Sequence, residues 1–356
     1  MNNNSLIESK DDIEEFLMNL MSIDSTTGKE WILGNLIKDF LEDEGFNITI
    51  QPLSSDKNRF NILATWAPFI PPGPKILFNT HLDTVPPYIP PTKNEENIFG
   101  RGANDAKGQI ASQIFAMKKI IKEMPNLAMH LGLLLVVGEE KRHDGMKEAN
   151  TLGLKPDYLI IGEPIDSKFA SLQKGAVSFK LIAKGISAHS GTPEKGENAI
   201  NKLLDVLEDL RNYEWPNDSD FGNTTLNIGF IEGGQALNAL AANASASLMF
   251  RVTKSSKELL ETVKTIVNER VEIEVLGFIE PVKVTIPPAP YETQPISGIS
   301  DAAFFEKHDK LKGIYIYGPG SIESAHSENE FISINDLKNS VNVLFDFVKI
   351  LSSNEQ

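Results

Sequence analysis

The chain has 356 residues, 41% hydrophobic and 23% charged, with 34 basic against 49 acidic side chains, a formal charge of −15 and no cysteine. That length can bury a large core and suits two domains better than one. The acidity argues against nucleic acid or an anionic membrane as partner and reads mainly as solubility, while the missing thiols exclude disulfides, cysteine nucleophiles and cysteine-held zinc.

The N-terminal MNNNSLIESKDDIEEF has neither a basic n-region nor an apolar h-region. No apolar run reaches membrane-spanning length, and a sequon such as Asn47-Ile48-Thr49 has no export signal to give it meaning. A cytoplasmic location is expected. The chain then opens helically: Ile13, Phe16, Leu17, Leu20 and Met21 share one face, and Ile32, Leu36, Ile37, Phe40 and Leu41 another. Strands are predicted at about 47–51 and 60–65, with a proline-rich loop over 68–74, a short buried strand over 75–79 and a rigid loop over 86–91. Ile110, Ile114, Met117 and Ile121 predict a helix over 106–124. The apolar runs at 131–137 and 158–162 lack alternation, as strands covered on both faces do. Strands alternating with helices indicate a mostly parallel sheet.

Near residue 171 the pattern changes. Val177, Phe179, Leu181 and Ala183 alternate with Ser178, Lys180 and Lys184, which predicts a half-exposed antiparallel strand. A helix at 196–212, strands at 224–231 and 245–252, a helix at 255–269 and a strand at 282–286 complete a βαββαβ order, which suits a four-stranded sheet with two helices on one face. Pro287, Pro288 and Pro290 mark a linker. The strand Gly313–Tyr317, a glycine loop and a last helix carrying Leu337, Val341, Leu344, Val348 and Leu351 restore the first texture. Ser333 and Asp336 stand at the start of that helix as in a capping box.

Imidazole and carboxylate side chains recur at the predicted strand ends, where α/β sheets form their ligand sites. They are His81 and Asp83 in KILFNTHLDTVPP, Asp105 in FGRGANDAKG, Glu139 and Glu140 in LLLVVGEE, Glu163 in YLIIGEP and His326 in GPGSIESAHSENE. A mixed set of this kind suits divalent zinc, cobalt or manganese. In an extended His81-Leu82-Asp83 both polar side chains point the same way. The imidazole could bind a metal while Asp83 accepts its other N–H and fixes the tautomer; taken singly, a structural histidine beside a turn aspartate reads as well. Asp105 lies between Gly102 and Gly108 ahead of a helix. It could be an N-cap, or a carboxylate around which the backbone folds for a metal bridge. The glycines make no nucleotide loop, because Asp105 stands where a dinucleotide fingerprint needs glycine and no GK[ST] follows.

Glu139 and Glu140, adjacent at a strand end, point apart. That fits one metal ligand and one general base facing the substrate water, or else a solvated acidic turn. Glu163 ends a strand that Pro164 stops. The loop Gly318-Pro319-Gly320-Ser321 exposes N–H groups that could hold a substrate carboxylate. His189, in Ala188-His189-Ser190-Gly191, reads alone as a loop histidine, and His130, His143 and His308 are expected to be structural. No GxSxG elbow accompanies the His-Ser pairs, so a serine triad is not indicated.

Together these motifs resemble the M20 metallopeptidase and deacylase family, which includes acetylornithine deacetylase, succinyl-diaminopimelate desuccinylase, aminoacylase and carboxypeptidase G2-like enzymes. The resemblance covers nearly the whole chain. It rests on HLDTVP, GRGANDAKG, the Glu139-Glu140 pair, GEP, AHSG with the following PEKGENAI, and the His326 segment. It implies an α/β, dizinc-peptidase-like catalytic domain with a mostly parallel mixed sheet over 1–170 and 288–356. An α+β ferredoxin-like lid and dimerisation domain would be inserted over 171–287. It further implies that His81 and Glu163 hold one metal and Glu140 and His326 the other, with Asp105 bridging, Glu139 as general base and Asp83 steering His81. His189 would polarise the scissile carbonyl, often from the partner subunit of a homodimer. Asn238 and Arg251, with the loop at Gly320, would bind the substrate carboxylate. Arg251 independently alternates away from Leu248, Phe250 and Val252. The chain departs from the family at Ala106, which touches packing, and at Lys141-Arg142-His143, which could alter the pocket rim.

The expectation is therefore a two-metal hydrolase, with zinc, cobalt or manganese, that cleaves an amide next to a free carboxylate. Small N-acyl amino acids lead, with acetylornithine first, and dipeptides or the C-terminal bonds of peptides stand as the alternative. A binding protein that keeps the fold without turnover is the reading from another class, and the complete ligand set speaks against it. A nucleotide-binding oxidoreductase fails on its glycine patterns.

Overall fold

The computed structural model describes residues 6, 8–219, 221–306 and 310–353; His308 lies outside these residues. In chain order the elements are α1 (Ile13–Met21), α2 (Trp31–Asp43), β1 (Asn47–Pro52), β2 (Phe60–Thr65), β3 (Ile76–His81), β4 (Thr92–Lys93), β5 (Asn97–Phe99), α3 (Lys107–Glu123), β6 (Leu131–Val136), α4 (Asp144–Ala149), β7 (Tyr158–Gly162), β8 (Phe169–Gln173) and β9 (Gly175–Lys184). There follow α5 (Ala199–Asn212), β10 (Asn217–Asp218), β11 (Gly222–Asn223), β12 (Thr225–Gly233), β13 (Asn243–Val252), α6 (Ser256–Val267), β14 (Glu272–Ile279), β15 (Thr293–Ile296), β16 (Gly313–Tyr317), β17 (Phe331–Ser333) and α7 (Ile334–Ser353). They form two compact units. One comprises Met1–Ser171, Val284–Gln294 and Ser300–Gln356, the other Leu172–Lys283 and Pro295–Ile299. Among the described residues no helix is long and apolar enough to cross a membrane.

The first unit is built on a mixed sheet of strand order β1-β2-β6-β3-β7-β16-β8-β15. Its centre is parallel: Ile76 pairs with Leu131 on one side and Tyr158 on the other, and Gly313 pairs with Tyr158 from the far side. These four strands are buried along their whole length. That is why they read as unbroken apolar runs rather than alternating ones. Because β6, β3, β7 and β16 run the same way, their carboxyl ends emerge along one edge of the sheet. Helices cover it by ordinary amphipathic packing, with one departure from the expected pattern: Ile32 is 64% exposed, and Leu33 is buried in its place. Ser333 caps α7, its hydroxyl accepting from the Asp336 N–H at 3.3 Å.

The second unit is an antiparallel sheet of order β12-β13-β9-β14. Val177, Phe179, Leu181, Leu248 and Phe250 pack with Leu203, Leu207, Leu259 and Val263 of the two helices. Its fourth strand is Glu272–Ile279, not the expected 282–286. The run EIEVLGFI alternates polar with apolar and pairs antiparallel with β9, with an irregularity between Val275 and Gly277. Pro281, which has no N–H for a ladder, ends that pairing, and beyond it only the isolated bridge of Val282 with Gln173 remains.

A small sheet of order β17-β5-β4 ties the far end of the chain to the loop before α3. Phe331 pairs with Phe99, and the Gly100 N–H donates to the Glu330 carbonyl at 2.9 Å. Arg101 and Glu330, each 1% exposed, form an ion pair at 2.6 Å. Glu330 Oε1 also accepts from the N–H groups of Asn104 (3.2 Å) and Asp105 (3.1 Å). The Arg101 guanidinium in turn donates to the carbonyls of Ser327 (3.1 Å) and His326 (3.4 Å). One buried pair thus joins the backbone of Asp105 to that of His326, which lies more than two hundred residues further along the chain. Glu330→Ala would leave the guanidinium buried and uncompensated, and is expected to cost about 3–5 kcal/mol in urea unfolding. A loss below about 1 kcal/mol, the range of exposed pairs, would show that this clip is not structural.

Candidate metal centre

The strands of the parallel set lead into the candidate site residues. His81 is the last residue of β3. Its Nδ1–H donates to the backbone carbonyl of Asp83 at 2.9 Å, which leaves Nε2 facing Asp105 Oδ1 at 3.1 Å. The tautomer is therefore set by a main-chain carbonyl. The Asp83 carboxylate, expected to do this, lies 3.6 Å from Nδ1. It is taken up instead by the N–H groups of Glu139 (3.1 Å) and Glu140 (3.3 Å) and by the Thr27 hydroxyl (2.9 Å). The carboxylate still lies close enough to His81 to raise the imidazole's proton affinity, and the turn after β6, opened by Gly138 at φ +73°, presents two amide donors to it. Asp83 thus steers the glutamate pair.

Asp105 is not the N-cap of α3; that place is held by Ala106, which makes no side-chain cap bond. Its two oxygens face two imidazoles, Oδ1 toward His81 Nε2 and Oδ2 toward His326 Nε2 at 3.2 Å. His326 Nε2 also lies 3.0 Å from Glu140 Oε2. Ligating atoms of His81, Asp105 and Glu140 converge within 4.8 Å of one another. Glu140 Oε1 and Glu139 Oε1 are buried with no hydrogen-bond partner. Glu163 follows β7 directly, half-buried and within the field of Asp105 and His81.

The electrostatics follow from this crowding. Burial, then the like charge of Asp105, raises Glu163 well above the ordinary carboxylate value. Burial, only partly offset by His81, raises Glu139 in the same way, and Glu163, Asp301 and Glu140 add to it. Burial and Asp105 raise Glu140. Asp105 is drawn far below the ordinary range: burial opposes its charge, but His326 and His81 overcome it. His81 is raised despite burial, by Asp105 and Asp83. His326 is pushed up to about 10 by Asp105 and Glu140. Without cations, protons must supply the missing positive charge. Imidazole nitrogens set on either oxygen of one carboxylate, with the orphaned Oε1 of Glu140 beside them, fit a pair of divalent ions.

Gly320, expected at the substrate, has φ +82°, a backbone state costly for residues with a Cβ. Its carbonyl accepts from the Asp166 N–H at 2.7 Å, and its Cα lies against Asn104. Gln109 donates to the carbonyls of both Asn104 and Pro319 at 2.8 Å, so the glycine loop is fastened to the residue before Asp105. His189, Asn238 and Arg251 belong to the second unit. There the Ser190 N–H donates to the Asn238 carbonyl at 3.0 Å, and His189, exposed, bridges Ala239 and accepts from the Gly191 N–H at 3.1 Å. Arg251 is half-buried on β13, opposite Thr225 and Ala176.

Several functional neighbours escaped the sequence reading. Thr27 and Glu330 have no motif of their own, and Arg101, inside GRGANDAKG, shows no sign there of its buried partner. His143, expected to be structural, lies 3.4 Å from Glu139 Oε1 and 3.0 Å from Asp301 Oδ1. Its position four residues after Glu139, in the segment that departs from the family, was the available signal; nothing local marks Asp301.

Residues 172–274 match the family model described as the peptidase dimerisation domain of M20 enzymes. A peptidase M20 domain-containing protein of Schizosaccharomyces pombe is 33% identical over 341 residues, which cover 95% of this chain and 84% of that protein. A probable carboxypeptidase of Aspergillus terreus is 34% identical over 360 residues, with 91% and 82% covered. A tripeptidase of Staphylococcus aureus shares the fold, with a TM-score of 0.77 at 22% identity over 98% of each chain.

The raised imidazoles have a measurable consequence. In the metal-free protein His326 gains stability from its partners fully below its unfolded value of about 6.5. That contribution is lost as pH rises through about 10. At pH 8 the imidazole therefore holds a proton that an isolated histidine would have released, and an arriving cation must displace it. Titrating zinc into metal-free protein in weak buffer at pH 8 should release at least about one proton per chain. Uptake, or no change, would contradict the charge pattern described here.

Proposed function

This chain belongs to the M20 metallopeptidase family, and from that premise we propose that it cleaves the amide bond next to the free carboxylate of a short peptide, with two divalent ions shared across Asp105. The observation that carries the reading is the placement of His81 and His326 on opposite oxygens of Asp105, with the Glu139 carboxyl held beside them by the Asp83 grip on its N–H. His81 and Glu163 would hold one ion, Glu140 and His326 the other. When bound, the ions supply Lewis acidity, polarising a carbonyl and making water acidic at neutral pH.

Glu139 takes the proton that water gives up and returns it to the departing amine. Burial and the carboxylates around it favour its protonated form, as a group that accepts that proton requires. His189 would donate a hydrogen bond to the carbonyl oxygen as negative charge builds on it. Arg251 and Asn238 would hold the substrate carboxylate, and the Gly320 loop would lie against it. Peptides take the place of acetylornithine as the leading substrate, because the relatives named above are a carboxypeptidase and a tripeptidase. N-acyl amino acids present the same amide and carboxylate and form the second class to assay. We take the second unit, which matches a dimerisation domain, as the contact of a homodimer.

Chelation should abolish hydrolysis of a panel of dipeptides, tripeptides and N-acyl amino acids, and about two zinc, cobalt or manganese ions per chain should restore it. Full activity of metal-free protein would sink the proposal. Glu139→Gln should lower kcat by about 10²–10⁴-fold or more at unchanged metal content, whereas Glu140→Gln should lower metal content.

His189→Ala should lower kcat far more than it raises KM, by about 3–4 kcal/mol of transition-state stabilisation. Arg251→Ala should chiefly raise KM. If His189 serves the neighbouring subunit, mixing inactive Glu139→Gln with inactive His189→Ala protein should regain activity, since a mixed dimer then owns one intact site. Proven subunit exchange without recovery would mean that His189 acts within its own chain or not at all.

A further inference from the structure

Beside the metal centre lies a second group of ligating atoms. Glu139, His143 and Asp301 are all buried, and each brings one such atom within 4.8 Å of the others. His143 Nδ1 is 3.0 Å from Asp301 Oδ1 and 3.4 Å from Glu139 Oε1. Ligands about 2.0–2.2 Å from one ion stand about 3.0 Å apart at a right angle and about 3.4 Å apart at a tetrahedral one, so these spacings, the first of them a hydrogen bond here, also suit a coordination shell. Glu139 Oε1 is the independent sign. It is buried, in a residue 7% exposed, and has no hydrogen-bond partner. A buried oxygen left in this way is costly unless something occupies it.

The group is also held in advance. His143 sits at φ +53°, its N–H donating to the Gly138 carbonyl at 2.8 Å. Its ring stacks on Phe304 with centroids 4.0 Å apart. Phe304 is fixed in turn, because its carbonyl accepts from Asn150 Nδ2 at 2.9 Å. Asp301 stands in the short turn Asp301–Ala303 that Ser300 caps.

We propose that Glu139, His143 and Asp301 form a third site for a borderline divalent cation such as zinc, and that filling it inhibits the enzyme. The inhibitory half rests on the reading of Glu139 as general base. A cation on Oε1 occupies the carboxylate that must accept the water's proton, so turnover stops while the two catalytic ions stay in place. The site fills after the metal centre, since its ion must break the His143–Asp301 hydrogen bond and bind beside two cations already in place. A single imidazole with two carboxylates suits zinc, and serves calcium or magnesium poorly.

The test uses the full chain dialysed against zinc chloride at buffered free concentrations from trace to high micromolar, with bound zinc counted by mass spectrometry and peptide hydrolysis followed in parallel. Wild type should carry one more zinc at high concentration than His143→Gly or Asp301→Asn, and should lose activity there. Both variants should need at least about ten-fold more zinc for the same fractional loss of their own low-zinc activity. Glycine tolerates the backbone at position 143, and Asp301→Asn keeps the shape of the side chain, so one variant decides if the other fails to fold. Equal counts and equal zinc sensitivity in wild type and variants would overturn the proposal. The count at low zinc tests the two-metal reading separately, and a value other than about two there would leave the high-zinc difference standing.

Discussion

Five carboxyl groups, those of Asp83, Asp105, Glu139, Glu140 and Glu163, gather with two imidazoles at the carboxyl ends of four parallel strands. So much negative charge out of water is tolerable only beside cations or protons. The rest of the first unit is organised around that constraint. Asp83 is the one carboxylate of the set that is fully provided for, by two main-chain N–H groups and a hydroxyl, and it spends its charge on holding the glutamate turn. The others retain oxygens with no partner or with a histidine as partner, which is what a cation site looks like from the protein's side.

Holding such groups together requires that loops far apart in sequence share one support. The parallel sheet does part of this, because His81, the glutamate pair, Glu163 and the loop after β16 all emerge at one edge. The remainder falls to the small sheet of β4, β5 and β17 and to the Arg101–Glu330 pair. Glu330 holds the backbone of Asp105 while Arg101 holds the carbonyls of His326 and Ser327, so Asp105 and the imidazole on one side of it are set by one ion pair. Gln109 and Asn104 extend the same support to the glycine loop. An arrangement of this kind holds its ligands in place before metal arrives.

The segment Lys141-Arg142-His143 gives the chain a feature of its own. A left-handed backbone commonly calls for glycine, and here a histidine occupies it with its ring packed on Phe304. The result is an imidazole beside the Glu139 carboxylate.

Much of this was legible in the sequence, and the limit is physical. Strand ends and helix faces follow from local apolar periodicity, so the residues of HLDTVP, GRGANDAKG, GEE, GEP and the His326 loop could be marked from the chain alone, together with the change to an antiparallel second unit at residue 171. What escaped depends on contacts that no local pattern encodes. The fourth strand of the second unit was missed because Pro281 ends a pairing that lies earlier than the expected run. Asp83 is expected beside its near neighbour His81 and lies 3.6 Å from it, but its bonds to the N–H groups of Glu139 and Glu140, fifty-six and fifty-seven residues away, have no local sign. Arg101 with Glu330 and His143 with Asp301 join segments separated by 229 and 158 residues. Such pairs become visible only when the tertiary fold removes water from around them, because burial is what turns an ordinary charged side chain into one that must find its partner.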